Sequence, residues 1–166
     1  MTAYSPAQWQ PFFIAMITAA ASLTGLLFVA VSINLDRIAA KDGGFLPLRA
    51  MQTLATLLLV VLSCSLTLVP QSVRILGLEI FLLAAPALVL TTRGQLYHRQ
   101  KNKKDPLYWY VSWMAGTAMA TVPATAAGLS LLLHGGGGLY WLMAAALLGL
   151  VGAVYGAWVL LVEIVR

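Results

Sequence analysis

Five apolar stretches, each long enough to cross a hydrocarbon layer, constrain this chain more than any motif in it. They run over Phe12–Ile33, Met51–Val69, Ile75–Thr92, Tyr108–Leu133 and Leu139–Val165. A bilayer core about 30 Å thick needs about 20 residues of helix to span it. Lipid offers no partner to an unpaired backbone N–H or C=O, so spans of this kind must be helical. A barrel would instead show short segments of alternating hydrophobicity. Composition agrees: 61% of residues are hydrophobic and 9% charged, where a soluble domain carries about a quarter charged. The expectation is an all-α integral membrane bundle of five transmembrane helices, forming a single membrane domain over residues 1–166. Its longest polar segment, Arg93–Asp105, is too short to bury a core of its own. The first stretch lacks a basic flank and exceeds a signal-peptide core in length, so it reads as a retained helix.

The breaks fall at turn chemistry. Asp42-Gly43-Gly44 and Pro47 separate the first two helices, and Pro70-Gln71-Ser72 makes a hairpin between the next two. Lys101 to Pro106 precede the fourth helix, and Gly135 to Gly138 divide the last pair. Basic residues then give a direction. Nine of the ten Lys and Arg lie on one side: Arg37, Lys41 and Arg49, then Arg93, Arg99, Lys101, Lys103 and Lys104, and finally Arg166. Only Arg74 falls on the other. By the positive-inside rule the N-terminus is expected outside and the C-terminus in the cytoplasm, with the chain multi-pass. The basic run Arg99–Lys104 is this topology signal and implies no nucleic-acid partner.

The motifs point away from an enzyme. His134-Gly-Gly-Gly resembles a lipase oxyanion loop, but it needs a Gly-x-Ser-x-Gly elbow on an α/β sheet, and the sequence has neither. It reads as a flexible outer loop. His98 and His134 fall on opposite sides of the expected bundle and cannot share a metal, and no ligand cluster or phosphate loop is present. Neither a cofactor nor a metal is expected. Cys64 lies mid-span and has no second cysteine to pair with.

Polar and small residues inside the spans carry the remaining information. Ala15, Thr18, Ser22, Gly25 and Ser32 share one face of the first helix, and Thr53, Thr56, Ser63 and Thr67 one face of the second. Ala145, Gly149, Gly152 and Gly156 form a stripe on the fifth, continuing to Glu163. Such stripes let helix backbones approach closely, so Gly25, Gly149, Gly152 and Gly156 are candidate packing positions. Pro86 and Pro123 should kink the third and fourth helices. Glu79 reads as the one ionisable residue well inside a span, about 7 Å from Arg74 along the helix axis at 1.5 Å per residue. A charged carboxylate deep in a bilayer costs on the order of 3 kcal/mol. Glu79 should therefore face protein, with Thr67 and Ser63 as candidate partners in a buried polar or ion site.

The segment Ala21-Ser-Leu-Thr-Gly-Leu-Leu-Phe-Val-Ala-Val-Ser-Ile-Asn-Leu-Asp-Arg37, the entry Trp9…Phe12-Phe13, the turn Leu68-Val-Pro-Gln71 and the segment Leu76-Gly-Leu-Glu79 resemble an uncharacterised family of small multi-pass membrane proteins common in actinobacteria. Some of its members are automatically labelled as modulators of a membrane-bound protease. The resemblance covers roughly the first half of the chain. It implies that Asn34, Asp36 and Arg37 form a polar cap at the cytoplasmic end of the first helix, and it brings no catalytic residue. The expected function is that of a non-enzymatic accessory or regulatory membrane subunit, associating in the lipid bilayer as a homo-oligomer or with a membrane-protein partner. The alternative is a small oligomeric ion channel or proton-linked carrier using Glu79 and the Ser/Thr faces.

Overall fold

The computed structural model describes residues 2–34, 45–101 and 107–165, and among these every regular element is a helix. Two short 3-10 turns, Thr2–Tyr4 and Pro6–Trp9, lead into α1 (Gln10–Ile33). The others are α2 (Phe45–Leu66), α3 (Val73–Lys101), α4 (Leu107–Leu133) and α5 (Leu139–Val165). All five are long and apolar enough to cross a membrane. Pro11 sits in the first turn of α1, where its missing N–H is no loss. At the other end of α1, the Asn34 side-chain amide donates to Ala30 O at 2.9 Å and so satisfies a last-turn carbonyl. Asp36 and Arg37, the other members of the expected cap, lie outside the described residues.

Two boundaries differ from the hydropathy reading. Helix α2 begins at Phe45 rather than Met51, with Pro47 in its first turn. Helix α3 continues past Thr92 to Lys101. Hydropathy drops there because the residues are polar, but Arg93 to Lys101 contain no proline, and one Gly94 does not end a helix. In the extension Arg93 and Arg99 are exposed while Gln95 and His98 turn inward. The extension is a polar continuation of the same helix. Helices α3 and α4 continue through Pro86 and Pro123.

Helix α2 is the centre of the bundle and touches all four others; α3 packs on α4, α4 on α5, and α5 on α2. Helix α1 leans mainly on α2 and buries only 11% of its spanning window, against 56% for α2. It meets the core through Phe13, Ala20 and Leu27, one residue per heptad. The core is continuous through all five helices, for example Val60 and Cys64 from α2, Ile80 from α3, Leu131 from α4 and Leu142 from α5.

Glycines set the closest helix approaches. A Cβ on Gly128 of α4 would stand 2.6 Å from Phe81 N, and one on Gly77 of α3 would stand 2.7 Å from Leu132 N. The α3–α4 contact is thus backbone against backbone at two points. The α5 stripe turns inward too. A Cβ would lie 2.8 Å from Val60 Cγ2 at Gly149, from Gly116 O at Gly152 and from Thr53 Oγ1 at Gly156. This stripe is used within the bundle and is not available to a second copy. Gly25 differs, since a Cβ there meets nothing within 4 Å.

Candidate functional site

The polar residues gathered inside the bundle lie mostly at the end where α2 and α4 begin and α3 and α5 finish. Gln95 of α3 is 2% exposed, and its Nε2 donates both to Gln52 Oε1 of α2 at 3.2 Å and to Thr117 Oγ1 of α4 at 2.9 Å. One amide therefore ties three helices together. The Thr117 hydroxyl proton goes to Met114 O at 3.1 Å, which leaves its lone pairs for Gln95. Among the described residues, Gln52 Nε2 donates no hydrogen bond and Gln95 Oε1 accepts none.

A turn beyond, His98 Nδ1 is 3.1 Å from Tyr110 Oη, and the Trp113 ring stands edge-on to the imidazole, centroids 5.9 Å apart. His98, Tyr110 and Trp113 are all buried. Arg49 of α2, also buried, stands one turn before Thr53, whose hydroxyl donates back to Arg49 O at 2.9 Å. Glu79 is therefore not the one ionisable group set inside a span: Arg49 and His98 are as well. Hydropathy alone leaves both in loops, because the apolar runs begin at Met51 and end at Thr92 while the helices extend beyond them. A helical period was present to find them, in Arg49, Gln52, Thr53 and Thr56 on α2 and in Thr91, Gln95 and His98 on α3.

Two openings flank this cluster. A crevice of about 20 Å³ between α2, α4 and α5 is bordered by Arg49, Gln52, Trp113 and three glycines. A wider groove of about 370 Å³ between α3 and α4 has Gln95, Thr117 and Thr121 among its lining. A third opening, about 250 Å³ between α1, α2 and α5, is lined by aliphatic side chains such as Leu23, Leu57 and Leu160 and offers no polar chemistry.

Glu79 lies at the other end. It is half-buried, and its Oε2 accepts from Gln71 Nε2 at 2.7 Å. Gln71, in the α2–α3 turn, also donates to Leu66 O at 3.3 Å, so it joins the last turn of α2 to Glu79. The partners named from sequence are engaged elsewhere: Thr67 donates to Cys64 O at 2.6 Å and Ser63 to Leu59 O at 2.6 Å. Arg74 is exposed. A glutamine at this position can still take the Gln71 amide through its carbonyl oxygen. Glu79→Gln is therefore expected to cost only about 1 kcal/mol, the difference between a charged and a neutral acceptor. Reversible unfolding of the two proteins in the same detergent checks this.

At the same end, His134 stacks on Tyr4 at 5.8 Å. The glycine turn that follows is bonded rather than loose. Ser130 Oγ donates to Gly135 O and accepts from Gly138 N at 2.8 Å, and Trp141 Nε1 donates to Gly136 O at 2.7 Å. Positive φ angles of 85°, 109° and 50° at Gly136, Gly137 and Gly138 explain why glycines are needed there.

Between the two ends the core is apolar, with Leu57, Val60, Cys64, Ile80, Ala84, Ala124 and Ala127 buried. Where hydroxyls occur in that region, their protons are given to their own helices, as with Ser63 to Leu59 O and Thr121 to Thr117 O. Among the described residues no three of His, Cys, Asp or Glu come together as metal ligands. The chain matches no family model, no curated protein and no solved structure.

Proposed function

We propose that the chain is a non-enzymatic accessory subunit of a bacterial inner membrane, oriented N-out and C-in, which associates with a second copy or a membrane partner through the outer face of α1. The observation that carries this reading is the division of α1 into two heptad faces. Phe13, Ala20 and Leu27 are buried, while Ala15, Thr18, Ser22, Gly25, Val29 and Ser32 are all exposed. Those six positions alternate steps of three and four, the spacing of a left-handed helix–helix seam. Five of the six are small, which is what close backbone approach in lipid requires. The hydroxyls of Thr18 and Ser32 are already bonded to Ile14 O and Phe28 O, so these two bring no orphaned donors to a contact with another helix. The orientation rests on the Lys and Arg bias.

A channel or proton-linked carrier built on Glu79 has weaker support. Its carboxylate is engaged by Gln71, and an apolar middle separates it from the Gln52–Gln95 network.

The test is a cysteine scan along α1 in a Cys64→Ser background, with oxidative cross-linking in native membranes. Cross-linked species are expected at Thr18, Ser22, Gly25 and Val29, and much less at the flanking Leu26 and Phe28. Uniform cross-linking, or none, would sink this reading.

A further inference from the structure

We propose that the groove between α3 and α4 binds one neutral lipid with a free hydroxyl, a diacylglycerol, which enters sideways from the bilayer. Such a site goes beyond the association proposed above and does not depend on it.

The groove lies beyond the closest contact of its two helices. Helices α3 and α4 meet backbone to backbone at Gly77 and Gly128, and each passes a proline, Pro86 or Pro123, before the groove begins. Its volume is about 370 Å³, far beyond the roughly 10–15 Å³ that one water needs on the same kind of measure. Val111 and Ala115 in its wall are exposed, so it opens to the outside of the bundle. From Leu88 to Gln95 it runs about 10 Å along the helix axis, at 1.5 Å per residue. One leaflet's hydrocarbon is about 15 Å deep, so an acyl chain lying in the groove stays within the leaflet it came from.

Two polar side chains in this wall have hydrogen-bonding capacity to spare. Gln95 is 2% exposed; its Nε2 is engaged by Gln52 and Thr117, while its Oε1 accepts from no described residue. Of the three openings described, Gln95 borders only this one. Thr92, one turn earlier on α3 and half-buried, also makes no hydrogen bond among the described residues. The other hydroxyls of the lining are committed: Thr91 donates to Ala87 O, Thr117 to Met114 O and Thr121 to Thr117 O. The free pair is therefore one buried acceptor and one hydroxyl able to give its proton, on neighbouring positions of one helix face. A diacylglycerol presents the complement. Its hydroxyl donates to Gln95 Oε1 and, a few bonds away, an ester carbonyl accepts from Thr92. An acyl chain then follows the aliphatic wall past Val111, Ala118 and Leu88. A mostly apolar cleft with a few convergent polar groups is the usual form of a small-molecule site. An unpaired carbonyl oxygen in water-poor surroundings is costly, and the ligand's hydroxyl removes that cost.

The test uses the full chain in lipid nanodiscs with a diazirine-bearing diacylglycerol, and maps the photo-adducts by mass spectrometry. Adducts are expected within residues 88–95 and 111–121, saturating with the probe and displaced by unlabelled diacylglycerol. Triacylglycerol keeps the ester carbonyls but has no hydroxyl to donate, and phosphatidic acid carries a phosphate in its place. Both should compete roughly tenfold less well or worse. Thr92→Val removes a hydroxyl that holds no other described residue and should weaken binding about three- to tenfold. Ala115→Trp fills the groove from its exposed wall and should abolish the adducts. Circular dichroism checks that both variants fold; if either does not, the ranking of competitors decides. Equal competition by triacylglycerol would mean that the groove takes any acyl chain. Stronger competition by phosphatidic acid would mean that the exposed Arg93 and Arg99 draw an anionic lipid instead. Adducts that diacylglycerol does not displace, or that persist in a folded Ala115→Trp, would assign the labelling to bulk lipid. Each of these three results overturns the proposal.

Discussion

Gly128→Ala is expected to destabilise the bundle by about 3 kcal/mol, the upper range for overpacking a close contact. The added methyl would sit 2.6 Å from Phe81 N and 2.8 Å from Phe81 Cα. Those are backbone atoms of a helix, so no rotamer change can relieve the clash, and α3 and α4 must move apart. Separation would also loosen Gly77, whose own added Cβ would strike Leu132 N and Leu131 Cβ. The two glycines belong to one contact. Gly77→Ala should thus cost a similar amount, and the double variant clearly less than the sum. Gly25→Ala is the control. It adds a methyl in open space and should be neutral or stabilising by up to about 1 kcal/mol, since alanine is the better helix former. Denaturant titration of helicity in micelles would order the three.

Gln95→Leu is expected to cost about 2 kcal/mol. The substitution leaves Gln52 Oε1 without its donor in a site where water is scarce, and an orphaned buried acceptor costs about 1–3 kcal/mol. It also releases Thr117 from α3. Interhelical hydrogen bonds in membranes average well under 1 kcal/mol because the alternatives also find partners. The larger figure here follows from one amide serving two helices at once. In a double-mutant cycle with Gln52→Leu, a coupling of about 1 kcal/mol is expected. A coupling near zero would mean that the amide pair merely fills space. The apolar double variant should be more stable than Gln95→Leu alone, since it orphans nothing.

The five spans were legible because twenty apolar residues in a row have few other fates. What could not be read was where polar residues stay helical. Hydropathy ended α3 at Thr92, yet Gln95 and His98 continue its inner face and meet partners on α2 and α4. Their significance depends on which helices are neighbours, and a single sequence does not give that. Glu79 shows the same limit differently. Its isolation in an oily run was visible, but Gln71 became its partner only when the α2–α3 hairpin folded back. The glycine stripe on α5 was visible as well, and its inward direction was not. The small residues of α1 have the same spacing logic and face outward, because α1 is the peripheral helix.

That outward face is the centre of the functional account, and native mass spectrometry tests it most directly. The protein would be extracted from its own host membrane into nanodiscs, beside a variant carrying Ser22→Leu and Gly25→Leu. The account predicts a multimer or a stoichiometric complex for the unmodified chain and a folded monomer for the variant. An unmodified chain that runs as a monomer with no partner bound, or a variant that assembles as well as the original, would contradict it.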